Sequence, residues 1–232
     1  RHAVTGEARL RADAATVIRG IRRCATAHGV SGFLARGVCH EDLKSIYPNS
    51  SRDQYTHAVH GLWMYARSPL CSPGTRAEIG AIVSAVADRM TRNVTPANDY
   101  DSLRADGSRD TRGISRMWNV MGHEAARLPM IYAAPWDATG LGEYRDLWRR
   151  YVGPALDQSQ AVEARRMPTY AWLQMQASLE LLGELEPDPV LKAKIVRTMA
   201  DVTRQCAARA AEAGRASAGL DLTALCTDWR TG

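Results

Sequence analysis

Apolar residues recur along most of this chain at the spacing of one helix face. Leu10, Ala14, Val17, Ile18, Ile21 and Ala25 predict a helix over 7–28, which Gly29 stops. A second helix is predicted over 51–67, from Ser51 to the Ser68-Pro69 pair. A third runs over about 75–93, on the stripe Ile79, Ile82, Val83, Val86 and Met90. Met117, Val120, Met121, Ala125, Leu128 and Ile131 predict a helix over 114–134, kinked at Pro129 and ended by Pro135. Further helices are predicted over about 142–158, over 168–184 with Pro168 at its first position, and over 189–213. A last helical start is placed at 220–226.

The connections alternate in length. Long segments at 29–50, 94–113 and 159–167 precede the helices that start near 51, 114 and 168, and short turns follow those helices. Loops this long in a compact domain usually carry function. Asp106-Gly107 within 94–113 is a hairpin signal, so a small β-flap is expected there. No strand–helix alternation appears, so the fold class is all-α. It is built of stacked helical hairpins in one domain over 1–232, with the long loops gathered at one end. Such a stack forms either an open solenoid or a closed toroid; in a toroid the helices that follow long loops are the inner ones, and their positive dipole ends line the cleft.

Composition changes this picture little. The chain has 232 residues, 45% apolar and 24% charged, which is ordinary for a globular protein. Its net charge of +5 is carried almost wholly by scattered arginine. No basic run of the kind found in nucleic-acid-binding arms occurs, and no apolar run is long enough to span a membrane, so neither partner is expected. Five cysteines at irregular spacing match neither a disulfide framework nor a zinc site. Six Trp and eight Tyr against one Phe offer stacking faces with polar handles, which suits a sugar cleft as well as helix packing. The chain opens at Arg1 without Met or a visible signal peptide, so it is expected to be processed or cut from a longer product.

Chemistry concentrates at the start of the second helix. Ser51 with Gln54 three residues on reads as a capping box, and Asn49, Arg52 and Asp53 crowd the same turn. Asp53, His57 and His60 then fall in a line down one face.

With the segments Gly32-Phe33-Leu34-Ala35-Arg36-Gly37, Tyr47 through Tyr55, Asn93 through Asp101, and Met117-Trp118 through His123-Glu124, the chain resembles the six-hairpin (α/α)-toroid glycosidase-like superfamily. The likeness to unsaturated glucuronyl hydrolases and bacterial exo-β-glucuronidases lies in architecture and loop placement. A complete six-hairpin toroid needs more helices than this chain offers, so a fragment or a partial toroid is expected.

That resemblance implies a glycoside hydrolase acting on uronic-acid-containing or other acidic saccharides, in a periplasmic or secreted setting. No cofactor or metal is expected, and self-association is left open. Glycosidic cleavage needs paired carboxylates. Asp53 is the main candidate, with Asp101, Glu124 or Asp99 as its helper, although an aspartate in a first helical turn also simply suits the dipole. Glu124 has an obvious structural partner in Arg127 at i+3. Asn49, Arg52, Tyr55, His57, Asp99, Arg116, Trp118 and His123 are the candidate substrate contacts, and Trp118 and Trp172 lie near enough to helix starts to stack on a ring. Two rivals remain. One is a sugar epimerase or polysaccharide lyase on the same framework, with His57 and His123 facing across the cleft. The other is a non-catalytic helical repeat, which predicts a continuous apolar groove and no convergence of the loops.

Overall fold

The computed structural model describes residues 5–162 and 169–220. Among these residues all regular structure is helical: α1 (Ala8–Thr26), α2 (Arg52–Ala66), α3 (Pro73–Asn93), α4 (Arg127–Thr139), α5 (Gly142–Gln160), α6 (Thr169–Leu185) and α7 (Pro189–Ser217). Short 3-10 turns occupy Pro96–Asn98 and Gly122–Glu124. No described helix is long and apolar enough to cross a membrane.

Most helix boundaries follow from local chemistry. Pro73 and Pro189 open α3 and α7, behind Ser72 and Asp188, whose side chains accept from Thr75 N (3.1 Å) and Val190 N (2.8 Å). The start of α2 differs from the capping box expected there. Ser51 caps no backbone N–H; its Oγ donates to the Gln54 side chain instead. The Arg52 N–H donates across to the Ile114 carbonyl at 3.0 Å, so a neighbouring loop satisfies the helix end.

The helix expected over 114–134 is corrected. Residues 114–121 are irregular, and the helix starts only at Arg127. Ser102 N donates to Ser115 O at 3.0 Å and Met117 N to Tyr100 O at 2.8 Å, so this segment pairs with the preceding loop and forms an antiparallel bridge between Asp101 and Arg116. Asn119 takes a left-handed backbone (φ 55°), which no helix continues through. The helical spacing of Met117 and Met121 misleads, because Met117 is fully buried and Met121 is 70% exposed. Pro129 falls in the first turn, where its missing N–H has no helical partner. Pro135 stands inside α4, which ends at Gly140 in a left-handed cap.

The expected β-flap reduces to a tight turn. Arg104 N donates to Ser108 O at 2.8 Å around Gly107 (φ 81°), and no ladder extends from it. The expected connection at 159–167 falls mostly on α5, which runs to Gln160, and on 163–168. Residues 163–168, with Pro168, and the helical start at 221–226 lie outside the described residues.

Helices α2, α4 and α6 pack directly on one another; α3 lies against α2 and α4, α5 against α4, and α7 against α5 and α6. Helix α4 is the axis of this arrangement: Arg127 through Pro135 are all buried, so it is apolar all round, as a surrounded helix must be. Trp148, Trp172, Leu128, Ile131, Leu179 and Leu62 fill the space around it. Helix α1 has no buried residue and leans on the core through Ile18, Ile21 and Ala25.

Candidate functional site

Helices α2, α4 and α6 meet through one guanidinium near their N-terminal ends. Arg127, the first residue of α4, is only 1% exposed. Its Nη1 donates to Asp53 Oδ1 in the first turn of α2 at 2.8 Å, and its Nη2 donates to the Gln174 side chain on α6. Glu124 Oε1 lies 3.6 Å from the same Nη1, so the expected i,i+3 pair exists, but its closer partner is Arg52 Nε at 2.7 Å. Arg52 Nη1 continues to the carbonyls of Gly113 (2.5 Å) and Arg116 (3.0 Å). Gly122 carries the turn that delivers Glu124: a Cβ there would lie 2.3 Å from the Gln158 carbonyl of α5, so only glycine allows this approach.

Over this end the segments 27–51 and 94–126 interlock. Ala105 N donates to Pro48 O (2.8 Å), Asn49 Nδ2 to Asp110 Oδ1 (3.0 Å), and Ser115 Oγ to Asn49 Oδ1 (3.3 Å) and Ser50 O (3.2 Å). Beside them opens a cleft of about 830 Å³, with Asp99, Asp101, Asp110, Glu124, Arg52, Arg109, Arg112 and Arg116 among its lining residues. Its charges are paired. Asp99 accepts from Arg109 (2.8 Å) and from Arg116, while Arg112 Nε reaches Asp110 at 3.4 Å. Arg109 and Arg112 remain the most open of these cations, at 52% and 59% side-chain exposure.

Two of the aspartates titrate in opposite senses. Burial is the main influence on Asp101 and, with the nearby Asp110, raises its carboxyl above the ordinary range, against the Leu103 N–H and Arg109, which lower it. Burial also acts to raise Asp110, but the Ile114 N–H, Asn49 amide and Arg112 outweigh it and leave that group below its ordinary value. Two neighbouring carboxyls are thus shifted in opposite directions. His123 is pushed below its ordinary value chiefly by burial, with Arg127 and Arg52 acting the same way and Glu124 and Asp53 opposing.

The candidates from the sequence separate in space. Asp99, Asp101, Arg52, Arg116 and Glu124 line the cleft together. Asp53 does not line it and reaches Glu124 only through Arg127. His57 is exposed and touches Gln174 Nε2 through its own Nε2 at 3.3 Å. Asn49 is 2% exposed and serves as a clip between segments. Tyr55 is fully buried beside Ser102 and Arg89, in the core and away from solvent. Trp118 is on no helix; it packs edge-on against Tyr151, 4.7 Å between ring centroids, and Trp172 is buried at 1% exposure, so neither offers a free stacking face. Sequence reasoning missed Arg109 and Asp110. The turn signal of Asp110 followed by Gly113 was the only hint of the latter. Among the described residues no set of three or more His, Cys, Asp or Glu converges to hold a metal ion.

Compared with known proteins, the chain matches no family profile, no curated protein and no solved structure.

Proposed function

We propose that this cleft binds an acidic saccharide and hydrolyses a glycosidic bond in it, and that the hairpins form part of an (α/α) toroid-like framework. The observation that carries this reading is the pair of largely buried carboxyls, Asp101 and Glu124, in one open cleft with the guanidiniums of Arg109, Arg112 and Arg116. The direct packing of α2, α4 and α6 on one another and the hydrogen bonds between segments 27–51 and 94–126 support the framework.

In this scheme Asp101, whose proton is retained by burial, donates to the leaving oxygen. Glu124, ion-paired to Arg52, is the base or nucleophile. Asp53 acts at one remove, by fixing Arg127 against Glu124. Arg112 and Arg109 supply the fork geometry that grips a uronate carboxylate. The saccharide is the partner in this reading.

An epimerase or lyase is the second reading, and His123 favours it, since a buried imidazole kept neutral beside Glu124 is a proton-transfer base. The deciding experiment incubates the protein with uronide oligosaccharides and analyses products. New reducing ends without an unsaturated sugar support hydrolysis, with turnover lost in both Asp101→Asn and Glu124→Gln. An unsaturated or inverted product that depends on His123 supports the second reading. Absence of any product, with no binding of glucuronate, sinks both.

A further inference from the structure

Arg89, on α3, is 6% exposed and has no place in the chemistry above. Its Nη2 donates to the carbonyls of Leu103 (3.0 Å) and Arg104 (2.9 Å), and its guanidinium carbon lies 5.2 Å from the centre of the Phe33 ring. The buried Tyr55 hydroxyl also lies against it, and among the described residues no carboxylate pairs with it. Burying an uncompensated cation is costly. A leucine or methionine of similar size would fill such a space more cheaply, so a specific task is implied.

The surroundings identify it. Phe33 reaches this position because Gly32 (φ 69°) lies against α3, where a Cβ would be 2.0 Å from the Ala85 carbonyl and 2.8 Å from Arg89 Cβ. On the other side, residues 99–104 carry a concentration of strain: Asp99 (φ 53°), Tyr100 (φ 58°) and Leu103 (φ 60°) all take left-handed backbones. Each such non-glycine backbone is unfavourable and persists only where its surroundings impose it. Helix α3 imposes it. Besides the Arg89 contacts, Asn93 Nδ2 donates to Ser102 O at 2.8 Å. The strained backbone then turns Leu103 N onto Asp101 Oδ1 at 2.6 Å.

We propose that Arg89 is a positioning residue of the cleft: held between the Phe33 ring and the Leu103 and Arg104 carbonyls, it clamps the 94–126 segment to the 27–51 segment and thereby fixes Asp101 in the cleft wall. The importance of that position rests on the hydrolase reading, but the clamp itself does not.

The test reads Asp101 directly, by carboxyl carbon NMR of aspartate-labelled protein across a pH titration. Removing a cation near a carboxylate would by itself raise the midpoint, so a downward move on replacing Arg89 reports geometry rather than a removed charge. In Arg89→Met with wild-type helical content, the Asp101 midpoint moves down as the segment loosens and its carboxyl meets water, while Asp137, at the far end of α4, keeps its midpoint. Arg89→Lys, which retains a donor for the carbonyls, restores part of the shift. Asn93→Ala gives a smaller shift in the same direction and serves where Arg89→Met does not fold. An unchanged Asp101 midpoint in folded Arg89→Met, or in Asn93→Ala where Arg89→Met does not fold, overturns the clamp. Failure of the hydrolase reading shows only in product analysis and leaves this titration untouched.

Discussion

The Arg127 guanidinium donates to the Asp53 carboxylate at 2.8 Å across 74 residues of chain, and through this bond the starts of α2 and α4 are held together. The cation is buried and the carboxylate 42% exposed, so the two ends of the bond are not equivalent. Removing the cation strips Asp53 and Gln174 of their donor and opens a void at the axis. Arg127→Met is expected to destabilise by about 3 kcal/mol. Asp53→Asn keeps the shape and leaves Glu124 nearby, and is expected to cost ~1 kcal/mol. Urea unfolding of both variants and the double variant gives the coupling. Equal losses in the two singles would contradict the asymmetry.

His123 makes stability depend on pH. Its folded-state pKa lies below the ordinary imidazole value, so between the two values the unfolded chain binds a proton that the native state refuses. The contribution is therefore intact above the ordinary value of about 6.5 and is lost as pH falls through the folded value. Thermal melts from pH 7.5 downward are expected to show a falling Tm, and His123→Gln is expected to flatten that slope. The groups facing this imidazole, Glu124, Asp53, Arg127 and Arg52, are present in both proteins and so cancel in the comparison.

Asp101 sets the opposite limb for activity. Its raised carboxyl keeps its proton to higher pH than an ordinary aspartate, and a general acid works only while it holds that proton. Turnover of an acidic saccharide is expected to fall on the alkaline side as Asp101 ionises. A substrate with a good leaving group, which needs little protonation, should rescue Asp101→Asn by more than it rescues Glu124→Gln. Equal rescue of the two would remove the assignment of roles.

Gly122 offers a steric test. A methyl group there would meet the Gln158 carbonyl at 2.3 Å and Val162 Cγ2 at 2.7 Å. Gly122→Ala is expected to cost about 2 kcal/mol and to displace Glu124 from Arg52. Loss of turnover should therefore exceed what the fraction unfolded explains, measured on the same sample by circular dichroism and product formation.

How much of this could be read from the chain depends on whether the signal was local. Helices α3, α5 and α7 announced themselves, because a proline or a capping side chain marks their starts or an apolar stripe faces the core. The segment 114–126 did not, since its apolar residues are spaced helically by coincidence and its true partner, residues 100–102, is joined by bonds no local pattern encodes. Helix α4 starts after Ala126 with no capping side chain, so nothing in the sequence marks Arg127 as its first residue. Asp53 drew attention as a carboxylate at a dipole end, but its cation comes from α4 and turns it toward the axis. Arg109, Arg112 and Asp110 come to the cleft through turn geometry.

The bonds that tie Pro48 to Ala105, Asn49 to Asp110, Ser50 to Ser115 and Arg52 to Ile114 have a consequence for access. Neither segment can swing away alone without abandoning partners that the other supplies, two of them involving side chains at or below 2% exposure. The wall of the cleft therefore behaves as one panel. Its opening is already present without movement of either segment, and deuterium exchange at the amides of Arg52 and Ala105 should rise and fall together.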